Sequence, residues 1–343
     1  MSRLYNKEGV PLEVDLRPAR PGDAPGIIRL IRGQYGENYM PSFYDKDWLA
    51  GGIARGALRF YAAELPGASL GGIAGLDAEG PFPGTLILIL LLVDKALRGY
   101  GLGKLISPYI LKEASQIPCT CEYAYSLTVE TISQSFLETE GFKAAGLLLN
   151  RYLLDPAAPY ATVADLPLKV SHLIACYMRD KKDAGILYVP PSYQAFTGEV
   201  YQSLGAAYTL APPGDPDRNR AAGTADFSYI QADADGYCEM IVRKTGAGLR
   251  ETLEELLDSC AAFPRQTFNI FINMNDPGCP RLCSFLEERG FFFTGLQPLS
   301  GPNEFLIYHY APGLADPFDK VAVVPSFAKH LDWMRSLHRR ASS

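Results

Sequence analysis

The passage SFLETEGFKAAGL at 135–147 is written again 149 residues later as SFLEERGFFFTGL at 284–296, with eight of thirteen positions identical. Each copy reads as the end of an amphipathic helix, a glycine that stops it, and a phenylalanine that begins a strand. Ile132, Phe136 and Leu137 supply the apolar helix face in the first copy; Leu282, Phe285 and Leu286 supply it in the second. A helix stop repeated by accident would end there. Carried upstream, the same offset aligns Val93, which closes LILILLLV, with Val242, which closes YCEMIV, without a gap. Each strand then leads through a turn into a helix, GLGKLISPYILKEA against RETLEELLDSCAAF, and on to a further strand, EYAYSLTV against TFNIFINM. The repeating object is therefore a strand–helix–strand–helix–strand module. A chain of 343 residues has room for two such modules.

The expected class is α/β, with a mixed sheet in each of two domains, 1–158 and 159–343. The Pro- and Ala-rich stretch 153–167 reads as the linker. LKVSHLIACYM (168–178) is strand-like and is assignable to either module. FSYIQADADGYCEMIV and LSGPNEFLIYHYAP read as hairpins. SYQAFTGEVYQSLG is a helix, and a final helix carries Phe327, Leu331, Met334 and Leu337 on one stripe.

A 48% hydrophobic and 20% charged composition excludes disorder. Net charge −6 and the lack of a long basic run argue against nucleic acid or an anionic membrane as partner. The longest apolar run, Leu86–Val93, is too short to span a bilayer, and the opening MSRLYNKEGVPLEV lacks the apolar core of a signal peptide. The expected location is the cytoplasm. Seven cysteines fit reduced, buried thiols better than a disulfide framework or a zinc site, and no metal is expected.

One feature of the first copy is absent from the second. LRGYGLGK, 97–104, follows eight apolar residues and opens a helix. Glycines at 99, 101 and 103 let a backbone approach a ligand closely, and the helix start offers unpaired N–H groups and the positive end of its dipole to phosphate. Arg98 and Lys104 add charge. The spacing G-x-G-x-G is neither the dinucleotide fingerprint nor the nucleoside triphosphate loop. It resembles the acyl-CoA pyrophosphate loop of the GNAT acyltransferase superfamily, R/Q-x-x-G-x-G/A. Arg98, Gly101 and Gly103 fill the fixed positions, and Val93 matches the apolar residue five before the arginine. VDLRPARPGDAPGIIRLI, ALRFYAAEL, LGGIAGLDAE and SQSFLETEGF resemble the superfamily's first strand and helix, its second and third strands and the helix before its penultimate strand, so the resemblance covers roughly residues 12–154.

The resemblance implies two GNAT-like domains in tandem and an acetyl-CoA (or other acyl-CoA) co-substrate. Leu91, Leu92, Val93, Arg98, Gly99, Tyr100, Gly101, Leu102, Gly103 and Lys104 would hold it, with Ser133 and Phe136 beside the pantetheine arm. It implies transfer of an acetyl or short acyl group to a primary amine, on a small molecule or a peptide, by direct attack on the thioester. The other reading is a non-catalytic acyl-CoA sensor or partner-docking protein. The family's frequent carboxylate base is missing from TLILILLLV, and Leu137 stands where its tyrosine acid often lies. Glu130 is the replacement candidate for the base, against a solvated carboxylate at a helix start. GQYGENYMP (33–41) corresponds to the region that covers the acceptor in this superfamily, so Tyr35, Glu37 and Tyr39 are acceptor candidates. Tyr39 is also a catalytic candidate; packing aromatics and a surface acid are the competing account.

Under a gapless offset Arg98, Gly101 and Gly103 become Ala247, Arg250 and Thr252, so the second copy is expected to keep the fold without the ligand. Such a copy can shape the acceptor pocket or hold a homodimer.

Overall fold

The computed structural model describes residues 2–37, 39–153, 169–212, 223–232, 236–261, 266–314 and 316–341. The expected linker, the 158/159 boundary and the D-A-D tip of the first predicted hairpin lie outside them. The chain divides into two compact units, one running to Glu122, the other comprising Tyr123–Leu153 and the described residues from Lys169 onward.

In the first unit β1 (Ser2–Tyr5), which the sequence pattern does not announce, pairs antiparallel with β2 (Pro11–Pro18). The Asn6 side chain closes their turn by accepting from the Glu8 and Val10 N–H groups at 3.0 and 2.8 Å. Helix α1 (Ala24–Tyr35) buries Ala24, Ile27, Ile28, Leu30 and Ile31, the i, i+3, i+4 stripe of an amphipathic helix. Asp45 caps α2 (Lys46–Ala54) through the N–H groups of Asp47 and Trp48. Strands β3 (Leu58–Glu64), β4 (Leu70–Asp77) and β5 (Thr85–Val93) continue the sheet in the order β1-β2-β3-β4-β5. One core packs α1 and α2 against Leu58, Phe60, Ala62, Leu70 and Ile73. On the opposite face a second core packs α3 (Leu102–Gln116) through Leu102, Ile106, Ile110 and Ala114 against Ala63, Ala74, Leu76 and Leu86.

The division between the units falls within β6 (Cys121–Leu127). Then follow α4 (Ile132–Thr139), β7 (Lys143–Leu153), β8 (Lys169–Met178), β9 (Ile186–Leu187), α5 (Gln194–Leu204), β10 (Thr209–Leu210), β11 (Asp226–Ala232), β12 (Tyr237–Lys244), α6 (Leu249–Ala261), β13 (Thr267–Asn273), α7 (Cys279–Glu287), β14 (Phe292–Gln297), β15 (Phe305–Tyr310) and α8 (Ala328–Ala341). The sheet order is β6-β8-β7-β14-β15-β13-β12-β11, with β9 and β10 forming a separate parallel pair. The strand of open assignment, β8, therefore pairs with β7. Both expected hairpins form, β11–β12 and β14–β15. Phe327 lies in the turn before α8, and Phe327, Leu331 and Met334 of the expected stripe are buried.

The echo is repeated in three dimensions. Gly141 and Gly290 have φ of 92° and 84°. The N–H groups of Phe142 and Phe291 donate to the Leu137 and Leu286 carbonyls at 3.0 and 3.1 Å. Lys143 pairs with Cys176 as Phe292 does with His309, Gly146 with Ile174 as Gly295 does with Ile307, and each hairpin slips register just before that glycine. Gly146 and Gly295, equivalent positions of the two copies, pair with each other where β7 meets β14. A Cβ on Gly295 would lie 2.2 Å from the Gly146 Cα, and one on Gly146 would lie 2.8 Å from the Leu296 nitrogen. Only glycine fits at this crossing. One expectation fails: Ile132 is 71% exposed, because the first turn of α4 buries Gln134 instead and the packed positions are Gln134 and Leu137.

Polar side chains join these strands in the interior. Lys169 donates to the Thr267 hydroxyl (2.6 Å), which donates to the Asn150 carbonyl (2.7 Å), and Asn269 donates to the Leu149 carbonyl (2.9 Å). That last bond leaves the Asn269 amide oxygen facing His309 Nδ1 at 3.1 Å, so Nδ1 carries the proton and Nε2 accepts from Asn150 at 3.4 Å. Burial, then nearby Lys169, hold His309 well below its ordinary pKa; burial, then Arg151, do the same to His172. The unfolded chain thus binds more protons below pH 6.5, and each histidine's contribution is lost as pH falls below that value, at about 1.4 kcal/mol per unit. Buried Glu304, raised to about 7, opposes this. Its contribution is complete below its ordinary value of 4.5 and is lost as pH rises toward 7. His330 and His338 are also held below their ordinary pKa by burial, so urea unfolding should show stability rising with pH between about 4.5 and 6.5, four histidines outweighing the one buried carboxylate. Separately, Gly295→Ala should cost more than ~2 kcal/mol in the same measurement at pH 7.

Candidate functional site

The all-leucine end of β5 hides an irregularity. Ile73 and Gly75 of β4, two residues apart, pair with Leu92 and Ile89 of β5, three apart, so β5 carries one extra residue at Leu90–Leu91. Side-chain direction confirms it: Leu86 and Leu88 pack toward α3, whereas Leu90 and Leu92, of the same parity, join the α1–α2 core. Leu90 has φ 52°, a left-handed conformation costing a non-glycine residue about 1–3 kcal/mol. Leu91, beside it, is 42% exposed. A bulge of this kind leaves backbone out of the ladder, available to something other than the neighbouring strand.

Asp94 fixes the turn that follows. Its carboxylate accepts from the Ala96 N–H (3.1 Å) and from Arg29 of α1 (2.6 Å). Burial opposes its ionisation, but these bonds outweigh burial and hold its pKa below the ordinary value. Arg98 is exposed and donates to Gln34 at 2.7 Å. Gly99 and Gly101 have φ of 90° and 76°, and a Cβ on either would meet nothing within 4 Å. Gly101 caps α3 in the left-handed region, with no side chain on the helix end. The first helical bond is Leu105 N–H to the Gly101 carbonyl, so the N–H groups of Leu102, Gly103 and Lys104 have no acceptor within the helix. Gly103 has a helical backbone, and the nearest atom to an added Cβ is a Val93 methyl at 3.8 Å. Among the described residues nothing calls for glycine there, although it costs about 1 kcal/mol in a helix. The three glycines thus front open space at an uncapped helix start flanked by Arg98 and Lys104, and this arrangement fits a phosphate-bearing substrate. Tyr100 is half-buried between the glycines.

Tyr35, Glu37 and Tyr39 belong to the same unit. Tyr35 stacks on Tyr39 (centroids 5.0 Å), and Tyr39 meets Phe43 edge-on at 5.2 Å. Both tyrosines pack on the α1–α2 core that holds Leu90 and Leu92, and Glu37 pairs with Arg32 at 2.8 Å. The Tyr39 N–H donates to the Tyr44 hydroxyl, which donates to the Gly36 carbonyl, each at 2.9 Å.

Glu130, Ser133 and Phe136 lie in the second unit, on the β6–α4 turn and the first turns of α4, all half-buried. Leu137 is 5% exposed and packs as an ordinary core residue. The sequence reading missed Gln134, Asp94, Arg29 and Gln34. Only Asp94, immediately after a strand, carried a local signal for a cap.

At the second copy's turn the gapless alignment fails. Thr252 N–H bonds to the Gly248 carbonyl at 3.1 Å as Leu105 does to Gly101, and Gly248 has φ 86°. Helix α6 therefore begins two residues early against the offset. Gly248 takes the place of Gly101, and Arg250, not Thr252, stands at the place of Gly103. The Arg250 guanidinium lies 4.3 Å from the Phe285 ring centre, and the two help line a cavity of about 310 Å³ with Gly248 and Arg281. Residues 223–225 occupy this turn's backbone: Ala247 N–H donates to the Gly223 carbonyl at 2.9 Å, and Ala225 N–H to the Ala247 carbonyl at 3.3 Å. The strand ends beyond are closed by side chains. Asn273 donates to the Arg243 carbonyl at 2.9 Å, and Asp276 accepts from the N–H and hydroxyl of Thr245.

No family model and no curated protein matches the chain. Solved structures similar to it include NAA60 of Arabidopsis thaliana in complex with acetyl-CoA (15% identity, TM-score 0.38, 49% of this chain and 99% of that one). Others are an N-acetyltransferase from Staphylococcus aureus Mu50 (17%, 0.38, 48% and 98%) and the ribosomal-protein-alanine N-acetyltransferase from Brucella melitensis (19%, 0.37, 48% and 99%). Each likeness is one of fold and spans about half of this chain.

Titration calorimetry with acetyl-CoA should give one site per chain. Gly103→Val should weaken it at least tenfold with little loss of stability, because the chain has room for the side chain. A stoichiometry of two would assign the cavity at Arg250 and Arg281 to the same ligand.

Proposed function

We propose that residues 1–158 form a GNAT module that moves an acetyl or other short acyl group from CoA to a primary amine, and that 159–343 form a second, degenerate GNAT-like module in tandem. The observation that carries this is the sequence of devices along one segment: a bulge at Leu90–Leu91, a turn braced by Asp94, and an uncapped helix start with a glycine for which the described residues give no steric reason. The repeated register of the two hairpins supports the tandem arrangement.

The substrate pyrophosphate would sit on the N–H groups of Leu102, Gly103 and Lys104, with Arg98 adding charge. Backbone at Leu91–Val93 would hold the thioester carbonyl by an N–H bond that strengthens as its oxygen gains charge. The amine nitrogen bonds to the carbonyl carbon, the carbon–sulfur bond breaks, and CoA leaves as its thiolate. The attacking amine must be neutral and must shed a proton. Glu130 is assigned as the group that accepts it, and Ser133 and Phe136 as contacts to the pantetheine arm. Tyr35, Glu37 and Tyr39 are assigned to the acceptor, with Tyr39 available for proton transfer; the acceptor is a small-molecule amine or a peptide.

Two observations favour a second reading, a non-catalytic acyl-CoA binder: Leu137 is buried core, and β5 carries no carboxylate. Thiol release from acetyl-CoA across amines, amino acids, polyamines and peptides separates the two. Release above background with at least one amine is expected; acetyl-CoA binding without release across the panel would select the binder. Glu130→Gln should lower kcat by ~100-fold while leaving the acetyl-CoA dissociation constant within about twofold. Equal kcat in both forms would remove Glu130 from the mechanism.

A further inference from the structure

One side chain fastens the turn that carries Glu130. Gln134, in the first turn of α4, is 2% exposed. Its two Nε2 hydrogens are shared among three carbonyls, those of Leu127 at the end of β6 (3.0 Å), Glu130 on the β6–α4 turn (3.1 Å) and Ala322 (2.9 Å). Its Oε1 accepts from the Val324 N–H at 3.0 Å. A further bond runs from the Ala322 N–H to the Thr128 carbonyl at 2.7 Å. The N–H and the hydroxyl of Thr128 both donate to the Ser171 carbonyl of β8, at 3.0 Å each. Residues 322–324 thus lie along 128–134 like one more length of ladder, joined through an amide that bridges backbone on both sides. They follow β15, the last strand of the second copy, and lead through the turn at Pro325–Phe327 into α8.

A glutamine at this point in a helix ordinarily reaches back to cap its own N-terminus. Here the amide is turned to the turn's carbonyls and to a segment 188–190 residues away in sequence. An apolar side chain of the same size would fill the volume and leave those groups buried without partners. The arrangement matches the need of a base held on a turn, since a group displaced by an ångström loses much of its effect.

We propose that Gln134 is a positioning residue for acyl transfer: it ties the β6–α4 turn to residues 322–324, so the module that has lost its ligand-binding turn sets the placement of Glu130 in the other. The inference rests on the reading of Glu130 as base and adds to it a task for the second half of the chain.

Two variants of the full chain test it. Gln134→Met removes the whole clasp. Val324→Pro removes one donor at a residue whose φ of −58° already suits proline. Amide exchange over 127–133 and steady-state thiol release should be measured together, well below each variant's melting temperature. Faster exchange in this stretch is expected, with kcat lowered at least tenfold in Gln134→Met and less in Val324→Pro, and with KM for acetyl-CoA within twofold of the parent. Unchanged exchange, or faster exchange with unchanged kcat, overturns the proposal. If Gln134→Met does not fold, Val324→Pro alone decides by the same criteria. A parent chain that releases no thiol with any amine overturns the reading of Glu130 and this inference with it, whereas an active parent with fully active variants overturns this inference alone.

Discussion

The second unit depends on two backbones meeting where neither can carry a side chain. Gly146 and Gly295 pair across β7 and β14, and a methyl group on either would be driven into the other's main chain. Because they are the same residue of two copies, the contact is self-complementary, the property that defines an isologous dimer interface. Strands from two copies of one motif continue a single ladder through that point, burying edges that would otherwise invite association. Around the crossing, Asn150, Lys169, Thr267, Asn269 and His309 satisfy one another through specific hydrogen bonds. Such a network permits one register, since a slip would bury several polar groups without partners.

This crossing explains what divergence between the copies has spared. The helix-stopping glycines at 141 and 290 need a left-handed backbone, and the crossing glycines need the absence of a Cβ, so the chain itself selects them. Gly103 answers to no such demand. In a copy that binds no ligand at that turn a side chain there would cost nothing, and Arg250 occupies the equivalent place, stacked on Phe285. The turn around it has been taken over by residues 223–225, and the strand ends beyond it are tied by Asn273 and Asp276. Steric necessity and ligand necessity are thus separable residue by residue.

The same distinction shows what could be read in the sequence. The helix stops, the glycine turn and both hairpins announce themselves through local chemistry: glycine where φ is positive, alternation where one face is buried. The bulge at Leu90 does not. A run of leucines has no polar member to mark which face each residue takes, so the change of parity between Leu88 and Leu90 leaves no trace in composition. The place given to Ile132 on the apolar stripe of α4 failed for a related reason. Ile132 fits the period, but the buried place in that turn belongs to Gln134, two of whose partners, Ala322 and Val324, lie nearly 190 residues away and have no local signature. The two-residue shortening before α6 was equally hidden, since glycines at 246 and 248 let a gapless alignment pass through the turn unopposed.

If the second copy has given up its ligand, as proposed, it would be expected to decay unless something else holds it. Here two kinds of contact do. The crossing holds the second copy's strands against β7, and the segment after β15 carries its backbone to the β6–α4 turn, where Gln134 receives it. A change that loosens the second copy then loses sheet and core at the crossing and also the fixed geometry of the turn bearing Glu130. Selection on that turn would reach residues that touch no substrate. That would be a physical reason for the second copy to keep its helix stops, its hairpin register and its final helix whether or not its own turn holds a phosphate.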